Sequence, residues 1–116
     1  MTTLLALFRR PEGGEDALMT FERRYRDEHL PLVAGTPGLR NTTVWRVREA
    51  LGGDTELAIV TAMTFDDRDA LDAGLGSDAM RAAGRNLREI APGLSTLLVV
   101  DEAPDLEAAA GSGAGR

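Results

Sequence analysis

The residues best suited to chemistry lie in one short segment, YRDEHLPL, from Tyr25 to Leu32. It holds the only tyrosine and the only histidine of the chain, four positions apart. On a helix, residues at i and i+4 share a face, with Cβ atoms about 5–6 Å apart, so the two rings could address one bound molecule. The imidazole of His29 could remove a proton from an acidic carbon, because its pKa suits that work near neutral pH. The phenol of Tyr25 could donate to the enolate oxygen that develops. Such chemistry needs no metal and no organic cofactor. The same pair also fits a plainer role. A histidine at a helix C-terminus is favoured by the helix dipole and can bond the last free carbonyls. A tyrosine on an apolar stripe packs as core. Both readings stay open at this level.

Composition narrows the alternatives. There is no cysteine, which excludes disulfides, thiolate zinc sites and a thiol nucleophile. There is no lysine, which excludes Schiff-base chemistry and a lysine base. All thirteen basic residues are arginines, which can grip a carboxylate or phenolate through two parallel bonds. Arg40, Arg46 and Arg48 are candidates to orient an anionic substrate, although most arginines are surface charges. The net charge of −6 disfavours a nucleic-acid partner. His29 beside Asp27 and Glu28 gives no metal-ligand spacing, because adjacent helical residues point apart. No apolar run approaches the ~20 residues that span a bilayer. The N-terminal charges follow the first apolar run, the reverse of a signal peptide. The expectation is a cytoplasmic protein with no membrane association.

The elements that must position these residues follow from the pattern. TTLLALFR (2–9) reads as a strand apolar on both faces, bounded by Pro11, Gly13 and Gly14. Residues 15 to about 30 read as a helix whose stripe is Leu18, Phe21, Tyr25 and His29. Pro31 disfavours a helical Leu30, which predicts an end near His29. LRNTTVWRVRE (39–49) alternates as a strand with Thr43, Trp45 and Val47 on one face. A short Gly-rich link then predicts an antiparallel neighbour, residues 56–65. That strand has small residues, Ala58, Val60, Ala62 and Thr64, on one face, read as close helix packing with room for a ligand as the alternative. Asp66 is the expected N-cap of the next helix, and Ser77 caps a second piece with the stripe Met80, Ala83, Leu87 and Ile90. Residues 94–101 form the last strand, apolar on both faces. The domain is expected to span 1–102, and 103–116, rich in alanine and glycine, to be a disordered tail.

The order strand, helix, strand, strand, helix, strand is the split βαβ, or ferredoxin-like, arrangement of the α+β class. It places both helices on one face of a four-stranded antiparallel sheet. The opposite face carries apolar residues that a monomer leaves uncovered. A homodimer, packed sheet against sheet, is the economical way to cover it.

Phe21, Tyr25 and His29-Leu30-Pro31-Leu32, followed by Pro37-Gly38-Leu39-Arg40, resemble the EthD family of dimeric α+β-barrel proteins. MTFDDRDALDAGLGSDAM (63–80) is similar to the family's third-strand and second-helix segment. The resemblance covers about residues 3 to 102. The family takes its name from a protein of ethyl tert-butyl ether degradation. Relatives include decarboxylase- or cyclase-like enzymes of polyketide pathways and a methylmuconolactone isomerase, and the wider superfamily includes cofactor-free monooxygenases and haem-degrading enzymes. Haem ligation by His29 is conceivable on that ground alone, and no cofactor is expected. The resemblance implies a small cofactor-free isomerase or lyase acting on a hydrophobic ring or polyketide-like metabolite, with His29 and Tyr25 catalytic. Phe21, Arg40, Trp45 and Asn86 are the candidate substrate-binding residues. Asn86 stands where members commonly carry an aspartate, and an amide cannot carry a proton in its place. The alternative is a non-catalytic dimer that holds a hydrophobic metabolite for a partner oxidase in a catabolic pathway.

Overall fold

The computed structural model describes residues 1–114, with side chains to residue 110. Four strands, β1 (Thr2–Arg9), β2 (Asn41–Arg46), β3 (Leu57–Phe65) and β4 (Ser95–Asp101), form one antiparallel sheet in the order β2-β3-β1-β4. The helices between them are α1 (Gly14–Arg24) with its continuation α2 (Leu30–Ala34), then α3 (Arg68–Leu75) and α4 (Asp78–Ile90). This is the expected ferredoxin-like α+β arrangement.

Alternation decides which side chains meet the helices. On β1, Leu4, Ala6 and Phe8 are buried and Leu5 and Leu7 only half-buried. On β3, Ile59, Thr61, Met63 and Phe65 are buried. The small-residue face of β3 was expected to take the helices. Instead Val60, Ala62 and Thr64 share the open face with Leu5, Leu7, Trp45, Leu98 and Val100. The larger residues win the helix side because they fill the space beneath the helices, whereas Ala62 could not. The last strand, β4, is apolar on both faces and exposed on both, with Leu97, Leu98, Val99 and Val100 each 38–53% exposed.

Two local features depart from the sequence expectation. The first helix does not end at His29. Residues Tyr25–His29 form a π turn, and the helix resumes as α2 through Pro31. The amide of Leu30 donates to the carbonyl of Tyr25, five residues back. Pro31 has no amide to offer and sits in the first turn of α2, where none is needed. The widened turn thus absorbs the proline that was expected to stop the helix. Second, Asp67 and not Asp66 caps α3, accepting from the amide of Ala70 at 2.8 Å, while Asp66 pairs with Arg40. Ser77 caps α4 as expected.

The tail expected to be disordered carries a further helix, α5 (Pro104–Ala114). Lack of core-forming residues does not prevent alanine-rich sequence from coiling, and Pro104, Asp105 and Glu107 suit a helix start. Its side chains are exposed through residue 110, so it adds nothing to the core. Residues 115 and 116 lie outside the described residues. In α3, Gly74 allows close packing. A Cβ there would lie 2.8 Å from the ring of Phe65, which is fully buried.

Candidate functional site

The π turn places Tyr25 and His29 at its two ends, both facing inward at 4% and 6% exposure. Their rings stack with centroids 5.1 Å apart and planes at 23°. Tyr25 also meets Phe8 edge-on at 5.1 Å and Phe21 at 5.7 Å. The Tyr25 hydroxyl is hydrogen-bonded to Thr61 Oγ1 on β3 at 2.6 Å, with both groups buried. Burial pushes the phenol pKa up to about 12, against the smaller opposing effect of Thr61. The phenol is therefore neutral at ordinary pH. Its hydroxyl is held by the sheet, so towards a ligand this tyrosine presents its ring.

His29 reaches across to α4. Its Nδ1 lies 3.2 Å from Asn86 Oδ1. The Asn86 amide nitrogen donates to Glu28 Oε1 at 3.0 Å, and Glu28 is gripped by Arg24 at 2.7 and 3.0 Å. Arg24 also reaches Glu89 at 3.4 Å. Burial lowers the His29 pKa, with the Asn86 bond and the Ala83 carbonyl acting the other way. Arg24 is the main reason the Glu28 carboxyl lies below its usual range.

A cavity of about 120 Å³ lies between the sheet and α4, walled by Leu4, Phe8, Tyr25, His29, Val33, Met63, Met80, Ala83 and Leu87. His29 is its one ionisable group apart from the neutral phenol. Leu75 and Leu97 also line it, and both are exposed, so they mark its mouth. An engineered apolar cavity of about 150 Å³ stays dry and takes benzene, so this one suits a single small ring or one end of a larger molecule.

The structure brings three of the expected site residues together: Tyr25, His29 and Asn86. Asn86 bonds the histidine rather than lining the cavity. Phe21 lies behind Tyr25, at 2% exposure, packed on Phe8. Arg40 and Trp45 lie elsewhere. Arg40 forms a paired contact with Asp66 at the surface, at 2.8 and 2.9 Å. Trp45 stands opposite Val60 on the open sheet face and is 51% exposed. Arg46 is likewise engaged, by Glu22 at 2.8 Å. The residues missed from sequence are Glu28, Arg24 and Thr61. Glu28 and Arg24 are spaced i to i+4, the signal of an ion pair, but nothing in the sequence linked that pair to a residue 58 positions away.

Among the described residues no group of three or more His, Cys, Asp or Glu is placed to hold a metal ion, and no helix is long and apolar enough to cross a membrane. No protein-family model and no curated protein matches the chain. Solved structures do. An EthD family protein from Bacillus halodurans is 29% identical, with a TM-score of 0.79, over 89% of this chain and 99% of that one. A dimeric protein of unknown function with a ferredoxin-like fold, from Bacteroides fragilis, is 18% identical with a TM-score of 0.65, over 87% and 95%. SnoaB, a cofactor-independent oxygenase from Streptomyces nogalater, is 22% identical with a TM-score of 0.57, over 88% and 91%. The last two show the fold alone. The first adds to the resemblance carried by the segment from Phe21 to Arg40.

Proposed function

We propose that this chain, which resembles the EthD family in sequence and in structure, is a small cofactor-free enzyme of isomerase or lyase type. Its substrate is a hydrophobic ring compound with an acidic carbon, and His29 is the general base. The observation that carries this reading is a single imidazole, 6% exposed, in the wall of an otherwise apolar cavity. A neutral imidazole in such a place can take a proton from carbon without competition from water. Tyr25 supplies a ring face against which a planar substrate can rest. The working unit is a homodimer packed through the open sheet faces, where Trp45, Leu98 and Val100 are exposed. Several solved relatives of the same fold are described as dimeric.

The test is turnover by the full chain, screened by mass spectrometry against cyclic enones, lactones and polyketide-like enols. His29→Ala is expected to abolish conversion of any compound turned over, with the sedimentation of the dimer unchanged. Undiminished turnover would overturn the assignment. Two observations favour a second reading, an accessory dimer that holds a hydrophobic metabolite for an oxidase. The partner of His29 is an amide, which carries no proton onward, and the Tyr25 hydroxyl is already engaged. On that reading His29→Ala weakens ligand binding and the wild type alone forms no product.

A further inference from the structure

We propose that Glu28 and Asn86 are positioning residues that fix the tautomer of His29, holding the proton on Nδ1 and presenting the Nε2 lone pair to the cavity. This rests on reading His29 as the group that meets the ligand. The chain of deductions runs from the outside inward. Arg24 donates two hydrogen bonds to Glu28, at 2.7 and 3.0 Å, and holds it as a carboxylate. A carboxylate only accepts, so the Asn86 group facing it at 3.0 Å must be the amide NH₂. The other end of the amide, its carbonyl oxygen, then faces His29 Nδ1 at 3.2 Å. An amide oxygen also only accepts, so Nδ1 must carry the hydrogen and Nε2 must not. Nε2 makes no side-chain hydrogen bond among the described residues. The open space against His29 is the cavity.

This arrangement gives the asparagine a purpose that a proton carrier would not fill. An aspartate at position 86 would set its charge against Glu28, 3.0 Å away, and lose the contact that orients it. The amide passes on the orientation set by Glu28 without passing on its charge. The base is therefore aimed by a neutral amide and not by a second carboxylate.

The chain has one histidine, so its ring nitrogens give unambiguous ¹⁵N signals. In uniformly labelled protein near neutral pH, a long-range ¹H–¹⁵N spectrum is expected to show Nδ1 as protonated and Nε2 as the bare nitrogen. Free histidine favours the opposite tautomer. Glu28→Leu removes the acceptor that orients Asn86, so the amide can turn either end to Nδ1 and the share of the ring protonated on Nδ1 is expected to fall. Asn86→Leu should return the ring towards the solution mixture. A wild-type spectrum with the proton on Nε2 refutes the relay outright. A Glu28→Leu spectrum unchanged from wild type refutes the role of Glu28. Neither result depends on turnover. An Nδ1 proton in a protein with no activity would sink the enzymatic reading and leave the relay standing.

Discussion

The bond between Tyr25 and Thr61 can be isolated and its strength read. Tyr25→Phe removes one oxygen and keeps the ring, with its contacts to Phe8, Phe21 and His29. What it leaves behind is the hydroxyl of Thr61, 1% exposed and deprived of its 2.6 Å partner. An orphaned buried hydroxyl costs roughly 1–3 kcal/mol, whereas removing both partners in favour of apolar groups of like shape is nearly neutral. Tyr25→Phe and Thr61→Val should each destabilise by about 1.5 kcal/mol, and the double variant should recover most of the loss. With a urea m-value of about 2 kcal/mol per M, each single change moves the midpoint down by about 0.7 M. Chemical unfolding followed by fluorescence of Trp45 and by circular dichroism, at one fixed protein concentration, measures this directly. Losses that simply add in the double variant would falsify the coupling. It would follow that the hydroxyl is not held by the sheet and is free to serve a ligand.

Two further outcomes follow from the same packing. Burial lowers the His29 pKa, so in acid the unfolded chain takes up its proton before the folded one does. The stability owed to neutral His29 is intact above the unfolded value of about 6.5 and is lost as pH falls from there through the lowered folded pKa. His29→Leu should flatten that part of the pH–stability curve, and an unaltered slope would count against burial of the neutral ring. In α3, Gly74→Ala gains about 1 kcal/mol of helix propensity but forces a Cβ to within 2.8 Å of the buried Phe65 ring. Overpacking costs about 1–3 kcal/mol, so a net loss of about 1 kcal/mol in thermal or urea unfolding is expected. A more stable variant would show that α3 can move away at no cost.

The strands were legible because apolar runs bounded by turn residues, and the alternation of residues 39–49, are local signals, and their order followed from the succession of elements. Alternation tells which residues share a face but not which face meets the helices. That is why the small side of β3 was set against the wrong layer. The proline rule failed at Pro31 because it assumes regular α geometry on both sides, and the π turn supplies a different one. The disordered tail was inferred from the lack of core-forming residues, a criterion for burial and not for helix formation. At the site, Tyr25 and His29 were visible as unique residues on one stripe. Asn86 was singled out only by the family resemblance. Glu28 was invisible, because on a helical wheel it belongs to the charged face and its reach to Asn86 exists only once α4 is packed.

The π turn also imposes a rule of arithmetic on the gene. A helix that makes one turn with a five-residue bond carries one residue more than regular coiling would use. Substitutions between Arg26 and Glu28 leave that count alone. Loss of a single codon there would take away that surplus residue and let the helix close regularly, leaving His29 near its present face but Pro31 inside a regular helix that requires its missing amide. Gain of a codon would turn everything after it by about 100° relative to Tyr25, carrying His29 off the cavity wall. The segment should therefore tolerate changes of letter far better than changes of length.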